Sequence, residues 1–120
     1  MKQTLVRFIP GPLPGRNESE AAARSNRYKA AKMKYDWTLR CACAVGGSGC
    51  CFDRVALKLT WVEKTKRRDP DNIMGGIKYV LDGIVKAGIL KNDGWKQVAA
   101  IENKFETGIN PGVWVTLEVV

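Results

Sequence analysis

The sequence contains no histidine. An imidazole acts as the base in serine and cysteine hydrolases of the triad type, and it binds the metal in most hydrolytic zinc sites. The absence of histidine therefore excludes these mechanisms and the nucleases that depend on a histidine. Hydrolysis of a phosphodiester by this chain would have to rest on carboxylates, lysine and a bound metal ion.

Long apolar segments are missing as well. The apolar runs are only a few residues long, whereas a membrane-spanning helix needs about 20 apolar residues. The first residues, MKQTLVRFIPGP, include one lysine and too short an apolar stretch for a secretory signal. We therefore expect a cytoplasmic protein with no membrane contact. A length of 120 residues with 45% hydrophobic content fits a single domain over residues 1–120.

Acidic residues are scarce relative to basic ones. Lysine and arginine total 20 against 12 for aspartate and glutamate, so the formal net charge is +8. In a chain of this size such an excess favours a polyanionic partner, nucleic acid above all. The alternative is a soluble basic protein without such a ligand, and charge alone does not separate the two.

Four cysteines lie close together around a glycine-rich loop, namely Cys41, Cys43, Cys50 and Cys51. A disulfide framework is not expected in a reducing cytoplasm. The spacing C-x-C-x6-C-C could supply four thiolates to zinc, although it differs from the usual pair of C-x2-C knuckles. Free thiols beside a flexible GGSG loop are the expectation that we favour.

Hydrophobic alternation and periodicity predict an α+β fold. The predicted strands cover residues 4–9, 54–65, 96–107 and 112–120, and the predicted helices cover residues 17–40 and about 71–87. The resulting order, β-α-β-α-β-β, indicates a mixed β-sheet with two helices packed against it. Tyr28, Tyr35 and Trp37 alternate with basic residues in the first predicted helix. Aromatic side chains in such a pattern either stack on nucleic-acid bases or pack into the core, and packing into the core is the more common of the two.

A pair of carboxylates follows the second predicted strand. Pro70 favours extended backbone at Asp69, and residues two apart in extended chain project to the same side, so Asp69 and Asp71 can present their carboxylates together. Such a pair repels unless a cation lies between its members, and hard oxygen ligands suit Mg²⁺ or Mn²⁺. From the pattern alone we favour a helix start, with Asp71 or Asn72 capping free N–H groups.

The segment from residue 67 to residue 95 resembles the RusA-type Holliday-junction resolvases. That family carries Asp-x-Asp-Asn after a basic strand end, then a helix with a Lys-x3-Asp pair, an Ala-Gly turn and a further Asp. The matching residues here are Asp69-Pro70-Asp71-Asn72, Lys78, Asp82, Ala87-Gly88 and Asn92-Asp93.

The resemblance implies roles for individual residues. Asp69, Asp71 and Asp93 would bind the metal, and Lys78 would assist catalysis. Asp82 is not a ligand in the family pattern. A basic cluster immediately precedes Asp69 in the sequence and is placed to bind the DNA backbone on either side of the cleaved bond. It consists of Lys64, Lys66, Arg67 and Arg68.

Two positions depart from the family pattern. Asn92 stands where other members have an acid, so Asp93 is the one carboxylate at that point. Lys78 lies seven positions after Asp71 rather than four. In an α-helix, side chains four positions apart differ in direction around the axis by about 40°, and those seven apart differ by about −20°. Both spacings therefore keep the lysine on the same side of the helix as the aspartate. The alternative for Lys78 is a surface ion pair with Asp82.

The resemblance implies a Mg²⁺-dependent endonuclease (Mn²⁺ being possible) that resolves Holliday junctions or related branched DNA. It also implies a homodimer, and a role in phage or prophage DNA processing. Two alternatives remain at this point. One is a basic nucleic-acid-binding protein without catalysis, and the other is a small interaction module stabilised by zinc on the four cysteines.

Overall fold

The computed structural model describes residues 3–47 and 49–120. The elements, in chain order, are β1 (Thr4–Pro10), α1 (Arg16–Ser25), α2 (Arg27–Val45), β2 (Val55–Glu63), α3 (Pro70–Ile73), a 3₁₀ turn (Met74–Gly76), α4 (Ile77–Lys86), β3 (Val98–Thr107) and β4 (Gly112–Val119). Within these ranges, no helix has both the length and the apolar character required to cross a bilayer.

The strands form one mixed sheet in the order β1-β4-β2-β3. β4 is antiparallel to both of its neighbours, whereas β2 and β3 are parallel. A parallel pair requires a crossover connection, and α3, the 3₁₀ turn and α4 provide it. The predicted α+β class with a mixed sheet is therefore confirmed.

The core lies between the helices and one face of the sheet. Leu57, Leu59 and Trp61 on β2 are buried, and Val115 and Leu117 on β4 are fully buried beside them. The residues that alternate with these in the sequence direct their side chains to the opposite face of the sheet. On that face the rings of Phe8 in β1 and Trp114 in β4 pack with centroids 4.9 Å apart. The alternation in these strands, interrupted where Val62 is buried beside Trp61, follows from burial of one face.

The first helical region is two helices rather than one over residues 17–40. Asn26 takes an extended conformation between them, with φ −169° and ψ 124°. Its side chain accepts a hydrogen bond from the backbone N–H of Tyr28 at 2.8 Å, which caps α2. Asparagine is neutral to unfavourable within a helix but favourable as a cap, and that preference explains the break.

The second helical region packs closely against the first. A Cβ added at Gly83 in α4 would lie 2.4 Å from the Cβ of Cys41 in α2, so glycine is required where the two helices cross. The same region is interrupted by the 3₁₀ turn at Met74–Gly76. This crossing fixes α2 and α4 as one layer above the sheet.

Candidate functional site

The acidic corner, which we define as Asp69, Pro70 and Asp71, follows the end of β2. Asp69 is extended, with φ −73° and ψ 153°, and Pro70 occupies the first helical turn of α3. This conformation confirms the extended backbone predicted at Asp69, whereas Asp71 lies within α3, so the extended geometry predicted across both residues is wrong. Both carboxylate-bearing residues are exposed at the surface.

The two carboxylates of the acidic corner are not used to cap the helix that begins there. Asp69 is the N-cap residue of α3, but its side chain makes no capping hydrogen bond. Neither the Asp69 nor the Asp71 side chain has a hydrogen-bond or ion-pair partner within residues 3–47 and 49–120. Since the capping explanation does not account for these acids, both remain available to bind a ligand.

Asn72 has a structural role that the sequence did not suggest. Its side-chain oxygen accepts a hydrogen bond from the backbone N–H of Asn17 at 2.8 Å, in the first turn of α1. A Cβ on Gly75 would lie 2.2 Å from the backbone nitrogen of Arg16, so the two segments touch there. The acidic corner is thereby attached to the start of α1.

Arg68 is held inside the fold rather than offered to DNA. Its guanidinium donates to both carboxylate oxygens of Glu63, from Nε at 2.8 Å and from Nη2 at 2.9 Å, and to the carbonyl oxygen of Leu13 at 2.9 Å. A further ion pair joins it to Glu18 at 3.1 Å. Hydrogen bonding to Glu63 raises the pKa of Arg68 further above its ordinary value. These contacts of Arg68 therefore stabilise the chain segment that leads into the acidic corner.

The other members of the basic cluster are exposed. Lys64, Lys66 and Arg67 lie in the irregular segment between β2 and the acidic corner. A cavity of about 230 Å³ opens beside them and is lined by Asp69, Lys66 and the end of β3. This end of the sheet therefore combines free cations, unpartnered acids and a concave surface.

Asp93 lies at the opposite end of the sheet. Because β2 and β3 run parallel, a residue after the end of β2 and a residue before the start of β3 are at opposite edges. The nine residues of β2 span about 26 Å. The loop after the second helical region therefore does not bring Asp93 to the acidic corner within one chain.

The residues of a single chain therefore do not fit a site made of three carboxylates. The part of the chain that the structure describes contains no group of three or more cysteine, aspartate or glutamate side chains that could hold a metal ion. Asp93 instead borders a cleft of about 580 Å³ between α2 and α4, together with Lys34, Tyr35 and Lys86. The assignment of Asp69, Asp71 and Asp93 as ligands stays a prediction.

Lys78 is exposed near the start of α4. With the 3₁₀ turn included, the backbone rotates by about 40° and rises by about 12 Å between Asp71 and Lys78. The lysine thus projects on the side of Asp71, about two turns along. No ion pair joins Lys78 to Asp82 in the described ranges, so the surface-pair alternative gains no support.

The long helix α2 presents basic and aromatic side chains to solvent. Tyr28 and Tyr35 are exposed, although aromatic residues on a helix are more often buried, whereas Trp37 packs partly against the core. The guanidinium of Arg40 lies over the Trp37 ring at 4.6 Å. Exposed aromatic residues among cations are typical of surfaces that contact nucleic-acid bases.

The four cysteines are not gathered around one point. Cys41 is buried in α2, whereas Cys43 and Cys51 are exposed. Burial raises the pKa of the Cys41 thiol to about 12, and Asp82 adds to the effect. Cys41 is therefore an uncharged core residue at neutral pH rather than a thiolate ligand.

Comparison with protein-family models gives no match for this chain, and no curated protein matches it significantly. The resemblance to RusA-type resolvases therefore rests on the motif residues between Asp69 and Asp93.

Proposed function

We propose that the protein is a metal-dependent endonuclease that hydrolyses phosphodiesters in branched DNA such as four-way junctions. The observation that carries this proposal is the pair of unpartnered carboxylates, Asp69 and Asp71, beside exposed cations at the end of β2. Acids are scarce in this chain, with 12 against 20 basic residues. An acidic pair left without partners in such a chain is more consistent with ligand binding than with stabilisation of the fold.

The charges around the acidic corner explain why a cation is needed. Lys64, Lys66 and Arg67 attract a DNA backbone, whereas the carboxylates of Asp69 and Asp71 repel its phosphates. A divalent cation on the carboxylates removes this conflict, and Mg²⁺ or Mn²⁺ suits oxygen ligands. One chain supplies the two carboxylates of this corner, and its own Asp93 lies at the opposite end of the sheet.

The basic and aromatic surface of α2 supports DNA binding away from the acidic corner. Phosphates attach to exposed lysine and arginine side chains, and Tyr28 and Tyr35 offer rings on which unpaired bases stack. Bases near the branch point of a junction are easier to unstack than those in a continuous duplex. This surface therefore favours branched DNA as the substrate.

We also propose that the active form is a homodimer in the cytoplasm. A four-way junction has two strands to cut, and two sites related by a two-fold axis match that symmetry. The expected catalytic assistant is Lys78, which lies on the same side as Asp71. Its positive charge would stabilise negative charge that develops on the phosphate.

The proposal is tested with a labelled four-way junction in Mg²⁺ or Mn²⁺. Asp71→Asn should reduce cutting roughly 10- to 100-fold or more, the cost typical of disturbing a metal site. Junction binding measured without metal should persist. The matched control is Asp53→Asn, because Asp53 is another exposed aspartate on a different part of the surface. Equal cutting by wild type and Asp71→Asn would refute the role of the acidic corner.

A second function, nucleic-acid binding without catalysis, is favoured by the exposed tyrosines of α2. In that case the wild type binds junctions but cuts none of them with either metal. Replacement of both Tyr28 and Tyr35 by alanine should then weaken binding to junctions and single strands by a similar factor. The acidic-corner variants should leave binding unchanged.

A further inference from the structure

Trp95 is the most exposed large apolar residue in the part of the chain that the structure describes. It is 96% exposed, whereas Trp61 is 2% exposed and Trp114 is 46% exposed. Within residues 3–47 and 49–120 the indole of Trp95 has no hydrogen bond, ring contact or cation contact. A large apolar ring is less stable in water than when buried, so the packing of this chain does not explain where the indole lies.

The turn that carries Trp95 is held in place by its main chain. The backbone N–H groups of Gln97 and Val98 donate to the carbonyl oxygen of Gly94, at 3.1 Å and 3.0 Å. The carbonyl oxygen of Gln97 in turn accepts a hydrogen bond from the N–H of Val55 at 2.8 Å, which joins the turn to β2. The ring of Trp95 is therefore presented to solvent from a defined position rather than from a loose loop.

Two clefts adjoin this turn, and Asp93 borders both of them. The larger cleft, of about 580 Å³, lies between α2 and α4 and is lined by Lys34, Tyr35 and Lys86. The smaller cleft, of about 350 Å³, is lined by Trp95 and the first residues of β3. Because the clefts share Asp93, the exposed rings of Tyr35 and Trp95 belong to one concave surface. Volumes of about 300–1,000 Å³ are those of sites that bind small ligands.

The charge around the two clefts is mostly positive. Four exposed lysines line the larger cleft or flank Trp95 in the sequence, namely Lys34, Lys86, Lys91 and Lys96. None of these lysines has an ion-pair partner in the described ranges. The acids that border the clefts are Asp82 and Asp93. Unpaired cations in excess of acids attract a polyanion, and a nucleic-acid strand is the polyanion whose bases also suit aromatic rings.

The rings and the acids together select the base of an unpaired nucleotide. Every base has a π-face that stacks on tyrosine or tryptophan, but a base inside a duplex already has both faces covered by its neighbours. The carboxylates of Asp82 and Asp93 repel phosphates, whereas the amino group of a base can donate to a carboxylate. The surface therefore fits a strand whose bases enter the clefts and whose phosphates lie along the lysines.

We propose that the two clefts bind unpaired nucleotides of a DNA strand, with one base stacked on Trp95 and another on Tyr35. The inference takes its ligand, DNA, from the proposed function. The site and the acidic corner are at opposite ends of the sheet, because the corner follows the end of β2 and Trp95 precedes the start of the parallel β3. The two ends therefore contact different parts of one substrate. Branched DNA with a single-stranded segment, such as a flap or a gapped fork, is favoured over a fully paired junction.

The contribution of Trp95 is tested by binding without a metal ion. The Kd for a labelled oligothymidylate of about 12 nucleotides should rise about 5-fold or more in Trp95→Ala, since stacking on an aromatic ring contributes this much per base. The Kd for a blunt duplex of the same length should rise by less than about 2-fold, because its phosphate contacts remain. Ile109→Ala is the matched control, since Ile109 is another exposed apolar residue, 88% exposed, at the other end of the sheet.

Tryptophan fluorescence reports the contact directly. Stacking on a base quenches indole emission, so the emission of the wild type should fall when the oligothymidylate is added. Trp95→Phe should remove most of this quench but retain most of the affinity, because phenylalanine also stacks. An undiminished quench in Trp95→Phe means that another tryptophan contacts the strand and overturns the assignment of Trp95.

The role of the lysines is tested by the salt dependence of single-strand binding. Lys34→Gln and Lys86→Gln should each reduce the slope of log Kd against log salt concentration by about 0.7, the value for one phosphate contact on a single strand. Lys104→Gln is the control, because Lys104 is an exposed lysine in the middle of β3, away from both clefts. Equal slopes for all three variants and the wild type would place the strand elsewhere on the surface.

The outcomes separate this inference from the proposed function. Binding of single strands through Trp95 with no cutting by any form, wild type included, supports the site and refutes the nuclease. Cutting by wild type with unchanged Kd and quench in the Trp95 variants refutes the site and leaves the nuclease intact. A change in sedimentation of Trp95→Ala with no change in single-strand affinity identifies the indole as a contact between copies of the chain, and this result also refutes the site.

Discussion

Strands β2 and β3 are parallel neighbours in register, yet one is the centre of the core and the other is almost entirely exposed. Both place large apolar side chains on the helix-covered face, Leu57 and Trp61 in β2 and Ile101 and Phe105 in β3. The difference comes from the neighbours. β2 has a strand on each side, and its inward side chains belong to the core cluster together with residues of α4, whereas β3 has one strand beside it, and Ile101 and Phe105 stand outside that cluster.

This contrast shows that the pattern of a strand reports which face is apolar but not what covers it. In β2 the cover is part of the same chain. In β3 the pattern is maintained although the described part of the chain supplies little cover. The predictions below test this difference, in order of decreasing expected effect.

The largest effect is expected from alanine at the paired positions Leu57 and Ile101. Leu57 is 1% exposed, so Leu57→Ala should lower the free energy of unfolding by about 3 kcal/mol through lost burial and a cavity. Ile101→Ala should lower it by less than about 1 kcal/mol in the monomer, because its side chain is already partly in water. Urea denaturation, at a protein concentration below the dissociation constant of the proposed dimer, measures the loss in free energy of unfolding for both variants. Equal losses would mean that β3 is covered within the chain.

The second prediction concerns how the two strands end. β2 ends at Glu63, which Arg68 holds through two hydrogen bonds, while no such anchor holds Thr107 at the end of β3 in the described ranges. Arg68→Met should lower the free energy of unfolding by about 2–3 kcal/mol, because the half-buried carboxylate of Glu63 loses its partner. Thermal unfolding of Arg68→Met beside Arg67→Met, whose side chain is exposed, tests this. A similar Tm for both would contradict the bracing role of Arg68.

The smallest effects are expected at two residues that follow β2, Asn72, whose side chain makes a structural hydrogen bond, and Asp71, whose side chain has no partner in the described ranges. Asn72→Ala should lower the free energy of unfolding by about 1 kcal/mol, since it removes the hydrogen bond to the first turn of α1. Asp71→Asn should change it by less than about 0.5 kcal/mol, because Asp71 has no partner to lose. Chemical denaturation of both variants gives the comparison. A marked loss for Asp71→Asn would indicate a structural role for that carboxylate.

Much of the fold was predictable because its signals are local. The alternation in β2, the apolar stripe of the second helical region and the turn residues between them predicted all four strands to within a few residues. The division of the first helix at Asn26 was missed, since a capping asparagine within a helical pattern resembles an ordinary helix residue. The partition of strands into core and edge depends on pairing order, which no local pattern contains.

The candidate site was predictable only in part. The Asp-Pro-Asp sequence predicted the extended geometry at Asp69, which rests on local sterics. The hydrogen bonds of Arg68 to Glu63, Glu18 and Leu13 join segments distant in sequence, so a basic run could not reveal which of its members is held inside. The position of Asp93 depends on β2 and β3 being parallel, a property of the whole sheet.

The hydrogen bond between Asn72 and the first turn of α1 has a consequence for how substrate would be met. Through it, the turn that bears the acids shares one frame with α1, and α2 follows directly after Asn26. The separation between the carboxylates and the tyrosine-bearing helix is therefore set when the chain folds. Under the proposed function, a nucleic acid that contacts both surfaces must span this separation, and selectivity among branch shapes would follow from that distance rather than from base sequence.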